Sequence, residues 1–263
     1  PALRDTIAQN SDMEFVVPPF SYPDGLFFNL EHEWLSKKEV RQAICHAINV
    51  EQFVADSLMG LGAVATGPIA PESWAFASDL VPPAYDPDKA RELLASVEFP
   101  EGTEIRCSVN IGNVMREDWL IFSQQALQDV GISIVAEPLE FATLVEAVTS
   151  TGDFDIVGVP FAGANADPSE LVPQYTTGDP GNFSHYSNPE VDQLMDAARQ
   201  ELDIEAAKEL WKQVQQILID DAPMMYAWSR PFLNAVNRRF TGYTPSNGEQ
   251  GIFFSLEEVQ IAG

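Results

Sequence analysis

Gly152-Asp153-Phe154-Asp155-Ile156-Val157-Gly158-Val159-Pro160-Phe161-Ala162-Gly163-Ala164-Asn165-Ala166-Asp167-Pro168 is the stretch that decides the fold. Ile156, Val157 and Val159 form an apolar, β-branched run with no polar alternation, which predicts a strand covered on both faces, as in a parallel sheet. The run empties into small residues and an Asp-Pro turn. Ligands in open α/β sheets sit just past the carboxyl ends of such strands. Gly163, flanked by Ala162, Ala164 and Ala166, is therefore expected to leave backbone N–H and C=O groups open to a bound molecule, with Phe161 offering a flat apolar surface. The alternative is a tight surface loop.

Upstream of this strand, Ile105, Cys107 and Val109 alternate as a strand, Trp119, Phe122, Ala126, Leu127 and Val130 follow helical spacing, Gly131 stops the helix, and Ile132, Ile134 and Ala136 alternate again. That is a β-α-β unit. A helix bearing Leu144, Val145 and Val148 leads into the Ile156 strand, so three strands with intervening helices build an α/β sheet. Downstream, helices follow Asn188-Pro189 and Asp203 and cover the sheet, and Pro223 ends them. Met224 to Trp228 then reads as extended chain leaving the domain.

Toward the amino terminus, Phe15 to Pro19 and Leu26 to Asn29 read as short connecting strands around the turn Tyr22-Pro23-Asp24-Gly25. Ser36, with Glu39 three residues on, is expected to cap a helix carrying Val40, Ala43, Ile44, Ala47, Ile48 and Phe53 on one face. Residues 60–87 hold five prolines and little periodicity, so they should wrap the surface, anchored by Trp74 and Phe76. Asp86-Pro87 opens a helix through Ala90, Leu93 and Leu94.

Fourteen Lys and Arg against forty Asp and Glu give a net charge of -26 over 263 residues. A surface this acidic repels phosphate backbones, so a nucleic-acid partner is excluded. No apolar run approaches the roughly 18 residues of a spanning helix, so no membrane span is expected. The chain begins at Pro1 without an initiator Met, which suggests processing or a fragment. Cys45 and Cys107 lie far apart without CxxC or neighbouring His, and two buried thiols are the expectation.

No GxSxG, HExxH, P-loop or GxGxxG occurs, and His32, His46 and His185 stand in unrelated contexts, His46 as a packed or half-exposed histidine. Asp153 and Asp155, one residue apart on a strand edge, are expected to point to opposite faces and so cannot flank one substrate bond. No cofactor is indicated.

Phe28-Asn29, then Val40-Arg41-Gln42-Ala43-Ile44 with Ala47-Ile48-Asn49, resembles the pattern of the extracellular solute-binding proteins, family 5, of ABC transporters. Pro68-Ile69, Tyr85 to Leu94, Phe154-Asp155, Asn165 to Pro168 and Asp220-Asp221-Ala222-Pro223 match further stations of that family in order. The resemblance implies a periplasmic-binding-protein-like (type II) lobe, a mixed sheet flanked by helices. It implies residues 1–27 as a crossover from lobe one, 28–230 as lobe two, and 231–263 as a return segment. The implied function is binding a small solute (peptide-like, opine, sugar or metal chelate) and delivering it to a membrane permease, in the periplasm or outside the cell; a hydrolase of small glycosides or peptides is the alternative. Family members are about twice as long, so this chain would be a half that folds but binds weakly.

In peptide-binding members, an aspartate that pairs with the ligand's α-amine falls at Ala164 here, which argues against a solute with a free amino terminus. Phe161 matches an aromatic position that often lines the pocket, and an arginine that clamps the ligand carboxylate in some relatives falls near Arg116. Gly163, Asn165, Asp167 and Trp74 complete the expected contact set.

Overall fold

The computed structural model describes residues 7–16, 23–58, 62–159, 163–164, 167–229, 234–244 and 256–261. Ten strands appear among them: β1 (Met13–Val16), β2 (Asp24–Phe28), β3 (Ala63–Val64), β4 (Thr103–Asn110), β5 (Ile132–Leu139), β6 (Ile156–Val157), β7 (Met224–Ser229), β8 (Asn234–Asn237), β9 (Phe240–Thr241) and β10 (Gln260–Ile261). The helices are α1 (Lys38–Ala47), α2 (Val50–Ser57), α3 (Pro87–Ser96), α4 (Val114–Gln128), α5 (Phe141–Glu146), α6 (Val172–Tyr175), α7 (Pro189–Gln200) and α8 (Ile204–Asp221).

Six strands form one mixed sheet in the order β3-β7-β2-β6-β4-β5. The expected unit is there: β4 runs parallel to β5 across eight residue pairs and parallel to β6 on its other side, with α4 between β4 and β5. β6 sits in mid-sheet, and Ile156 and Val157 are wholly buried. The absence of alternation is explained by helices on both faces. Ile156 joins Leu26, Phe28, Met225 and Ala227 in the core beneath α1–α4, while Val157 joins Phe27, Met224 and Tyr226 in a second core beneath α5, α7 and α8. Successive side chains of Leu26–Phe28 and of Met224–Ala227 thus feed opposite cores.

Two expectations about the edges fail. β2 and β7 are not connectors or exits: every residue in them is buried, and they pair antiparallel to each other, with β2 also antiparallel to β6. The sheet therefore takes in Asp24 to Phe27, which had been placed in the crossover. Gly25 is required by this pairing, since a Cβ there would stand 1.8 Å from the Met225 carbonyl oxygen. The flanking segments pair with each other, β1 with β8, while β9 pairs with β10.

Local details also differ. Ser36 does not cap α1; its hydroxyl donates to the Glu33 carbonyl, and the helix starts at Lys38 without a side-chain cap. Phe53 belongs to a separate helix, α2, because Asn49 intervenes and accepts the Gln52 N–H. Trp74 is 39% exposed and does not anchor the proline-rich wrap. Buried Ile69, Ala75 and Leu80 do, together with partly buried Phe76 and a hydrogen bond from Gln215 Nε2 to the Ala75 carbonyl at 2.9 Å. Asp86 caps α3 as expected, accepting from the Lys89 N–H at 2.9 Å. Cys45 and Cys107 are free and buried, and burial pushes both thiols up to about 12.

Candidate functional site at the strand carboxyl ends

The carboxyl ends of the parallel strands β4, β5 and β6 share one rim, and antiparallel pairing brings the start of β2 and the end of β7 to the same rim. Asp24 stands there opposite Trp228. Arg116, in the first turn of α4, reaches over this rim: its Nη1 donates to Asn110 Oδ1 at 2.9 Å, and its Nε lies 3.4 Å from Asp24 Oδ1. Asn113 caps the helix, with its Oδ1 accepting from the Arg116 N–H at 3.4 Å. Arg116 is thus an anchored cation, with its side chain 18% exposed, rather than a solvated first-turn residue. Exposed Ile111, Val114 and Phe141 stand on the same rim, where β4 and β5 end and α4 and α5 begin.

Gly163 and Ala164 close the neighbouring corner, and here the expectation of open backbone groups is corrected. The Gly163 N–H donates to Gln174 Oε1 at 2.6 Å and its carbonyl accepts from Gln174 Nε2 at 3.0 Å. Ala164 donates to the Pro68 carbonyl and accepts from the Ala70 N–H, both at 2.8 Å, and is fully buried. The crossing segment 68–70 spends these groups as a parallel bridge between Ile69 and Ala164. Glycine is needed at 163 because φ is +134 and a Cβ would meet Pro23 Cδ and the Pro68 carbonyl oxygen at 3.2 Å. Phe161 and Asn165 lie outside the described residues.

Asp167 acts as a cap: its Oδ1 accepts from the Ser169 N–H at 2.8 Å and the Ser169 hydroxyl at 2.5 Å, opening the turn Pro168–Leu171. It shares with Trp74, Trp211 and Leu202 the lining of a depression of about 330 Å³ on the helical face. A more enclosed groove of about 490 Å³ lies at the opposite end of β7 from the rim, between Met225 and the strap bearing Pro83 and Tyr85. Among the described residues, no group of three or more His, Cys, Asp or Glu could hold a metal.

Asp153 and Asp155 do not point apart. β6 begins only at Ile156, so both sit on a bend and both reach Arg106, Asp153 at 2.9 Å and Asp155 at 3.0 Å from Nη2. Asp155 Oδ2 also accepts the Arg106 N–H at 2.9 Å. Asn29 holds that bend by donating to the Phe154 carbonyl at 2.8 Å. The carboxylates are consumed by a guanidinium, which again removes them from glycosidase chemistry. The histidines serve structure as well: His46 Nδ1 bonds the Ala84 carbonyl at 2.7 Å, and His32 Nδ1 accepts from the Trp34 N–H at 3.2 Å. Asp24 and Asn110 are rim residues that sequence reasoning missed. Asp24 lies inside an apparent turn motif, and only its pairing with Trp228 at the end of antiparallel β7 marks it.

The sequence pattern described as bacterial extracellular solute-binding proteins, family 5 Middle, matches residues 1–183. The chain belongs to this family. The glutathione-binding protein GsiB of Salmonella choleraesuis is 27% identical to this family-5 chain over 97% of the chain and 51% of GsiB. In fold, the chain is similar to the oligopeptide-binding protein AppA of Bacillus subtilis in complex with a nonapeptide, with TM-score 0.86 and 23% identity over 100% of this chain and 55% of that one. It is similarly close to NikZ of Campylobacter jejuni in complex with Ni(L-His), with TM-score 0.85 and 21% identity over 98% and 55%. The chain spans about half the length of the relatives it matches. These relatives are binding proteins, and nothing in them favours the hydrolase alternative.

The family-5 core makes a pH prediction through Asp155. Burial disfavours the Asp155 carboxylate, but its bonds to Arg106 outweigh that and hold its pKa below the ordinary value. A depressed folded-state pKa gives stability that is present above the unfolded value of about 3.9 and lost as pH falls through the depressed value. Asp155→Asn should therefore cost about 1.5–3 kcal/mol at neutral pH, as hydrogen bonds to charged groups do, and less with each step of acidification below about pH 4. Urea unfolding of both proteins at pH 7 and pH 3 checks this; an undiminished gap at pH 3 contradicts it.

Proposed function

We propose that this chain supplies one half of the solute site of an ABC importer's binding protein, acting in the periplasm or outside the cell without turning its solute over and passing it to a membrane permease. The observation that carries this is the rim at the strand carboxyl ends, where anchored Arg116 stands with exposed Ile111, Val114 and Phe141, while Asp153 and Asp155 are bound to Arg106. Phe161, Asn165 and Arg116 are the proposed contacts; Gly163 and Ala164 shape the wall beside them. Trp74 and Asp167, which line a depression on the helical face with Trp211 and Leu202, are not among the proposed contacts.

Ala164 bears on the solute's chemistry. It is buried and its backbone is spent, so nothing at that position neutralises an ammonium, whose uncompensated burial costs several kcal/mol. A capped or modified peptide, an opine, a sugar or a metal chelate fits better than a peptide with a free amino terminus.

A solute pocket buries about 70–90% of its ligand, and a single lobe offers an open half. A solute held at micromolar Kd, about 8 kcal/mol, should drop to about millimolar on this chain alone. Calorimetric titration of a capped tripeptide, an opine and a nickel–histidine complex into this chain, and into a protein with an N-terminal half supplied, tests the proposal. Equal affinities in the two would contradict it, as would steady product formation from any of the three.

A further inference from the structure

We infer that Gln174 is a positioning residue for solute binding: its side-chain amide clamps Gly163 and so fixes the wall on which contacts at the adjoining Phe161 and Asn165 depend. This deepens the solute-binding proposal and rests on it. Gly163 and Ala164 are both buried and spend all four of their backbone groups on two different partners. Ala164 uses the backbone of Pro68 and Ala70, at 2.8 Å in each bond. Gly163 uses one side chain: its N–H donates to Gln174 Oε1 at 2.6 Å, and its carbonyl accepts from Gln174 Nε2 at 3.0 Å. A carboxamide carries an acceptor beside a donor, and here both meet the same residue. The amide thus stands where a neighbouring strand would otherwise pair.

Gln174 is itself referenced to the sheet. It lies on α6, next to Tyr175, which is fully buried and whose hydroxyl stands 2.5 Å from the Tyr226 hydroxyl on β7. The clamp therefore ties Gly163 to β7 through two side chains, while segment 68–70 holds the next residue by backbone alone. Removing the amide's hydrogen bonds leaves two buried backbone groups of Gly163 without partners, and they regain partners by opening the corner to water. A wall held in its binding-competent position for only a fraction of the time lowers apparent affinity by that fraction. Gln174 therefore acts on solute through Gly163 and not by contact. In the turn just before α6, Asp167 and Glu170 are engaged with each other's segment: Asp167 Oδ1 accepts from the Ser169 N–H, and Glu170 Oε1 accepts from the Asp167 N–H at 3.3 Å.

The test uses the 263-residue chain, a doubly capped tripeptide as probe, and two variants. Gln174→Met keeps the length of the side chain and removes both hydrogen bonds. Gln174→Glu presents a carboxylate at pH 7.5, which accepts the Gly163 N–H but offers its carbonyl no donor; protonation restores an O–H beside an acceptor oxygen. Half-buried and facing a carbonyl, that carboxyl should titrate above the ordinary Glu value of about 4.3 and be largely protonated at pH 5. Binding is read from the initial slope of the Asn110 to Glu117 amide shifts against probe concentration. Gln174→Met at both pH values, and Gln174→Glu at pH 7.5, should bind about tenfold more weakly than wild type, as expected if the competent wall is populated about a tenth of the time. At pH 5 Gln174→Glu should return to within about threefold of wild type measured at the same pH, the recovery following the restored donor. Affinity unchanged in both variants, or Gln174→Glu equally weak at both pH values, overturns the inference while leaving the solute-binding proposal standing. Absence of any saturable rim shift in the wild-type chain overturns both.

Discussion

Arg41→Met is expected to lower the stability of the chain by about 3–5 kcal/mol, the cost typical of removing one partner from a buried charged network. Arg41 is buried, and its guanidinium donates to four backbone carbonyls: Leu35 at 2.7 Å, Ser36 at 3.1 Å, Asp221 at 2.6 Å and Ala222 at 2.9 Å. Asp221 and Ala222 end α8, where Ala222 takes a left-handed conformation with φ 48. Burial pulls the Arg41 pKa below its ordinary value, against the pull of Asp221, so the site tolerates the charge only because these acceptors are in place. Methionine fills much of the volume and leaves the carbonyls unpaired, and each such buried group costs about 1–3 kcal/mol. Thermal unfolding should fall by about 2–4 °C per kcal/mol. A loss below about 1 kcal/mol would show that water replaces the guanidinium at no great cost.

Trp119→Ala is expected to cost about 3–5 kcal/mol, as deletion of a fully buried aromatic does. Trp119 is 0% exposed, its ring centroid lies 4.8 Å from Phe53 and 6.4 Å from Trp228, and its Nε1 donates to the Gly25 carbonyl at 3.2 Å. That bond ties α4 to β2, and Arg116 sits one turn before Trp119 on the same helix. Trp119→Phe should keep most of the packing and lose about 1 kcal/mol for the hydrogen bond. Denaturant unfolding separates the two: equal losses for Ala and Phe would mean the hydrogen bond, not the volume, dominates.

The parts of the fold that were legible in the sequence are those with local causes. The β4-α4-β5 unit, the buried β6 run, the Asp86 cap and the paired covering helices α7 and α8 all follow from periodicity and turn chemistry within about thirty residues. What was missed is non-local. β2 and β7 pair across some two hundred residues, and no local pattern distinguishes a five-residue buried strand from a connector. The family stations were legible as sequence, yet their roles came only with the structure, because they are joints between distant segments. Arg41 and Gln42 bind the Asp220–Ala222 stretch, Asn29 holds the bend before β6, and Pro68 and Ala70 clasp Ala164. Arg116 was legible as a candidate, whereas its partners Asp24 and Asn110 were not, since pairing at a rim depends on sheet order. The backbone of Gly163 and Ala164 was misjudged for the same reason: Gln174 and the 68–70 segment approach from elsewhere in the chain.

The central claim is that solute meets this chain at the rim carrying Arg116, Asn110 and Phe141, and not in the groove between Met225 and Tyr85. Amide chemical-shift mapping of the isotope-labelled chain, titrated with a doubly capped tripeptide to several millimolar, tests it directly. The account predicts saturable shifts for Asn110 to Glu117 and for Gly163, with Cys45, Tyr85 and Met225 unmoved; shifts confined to the latter three, or no saturable shift at the rim, would contradict it.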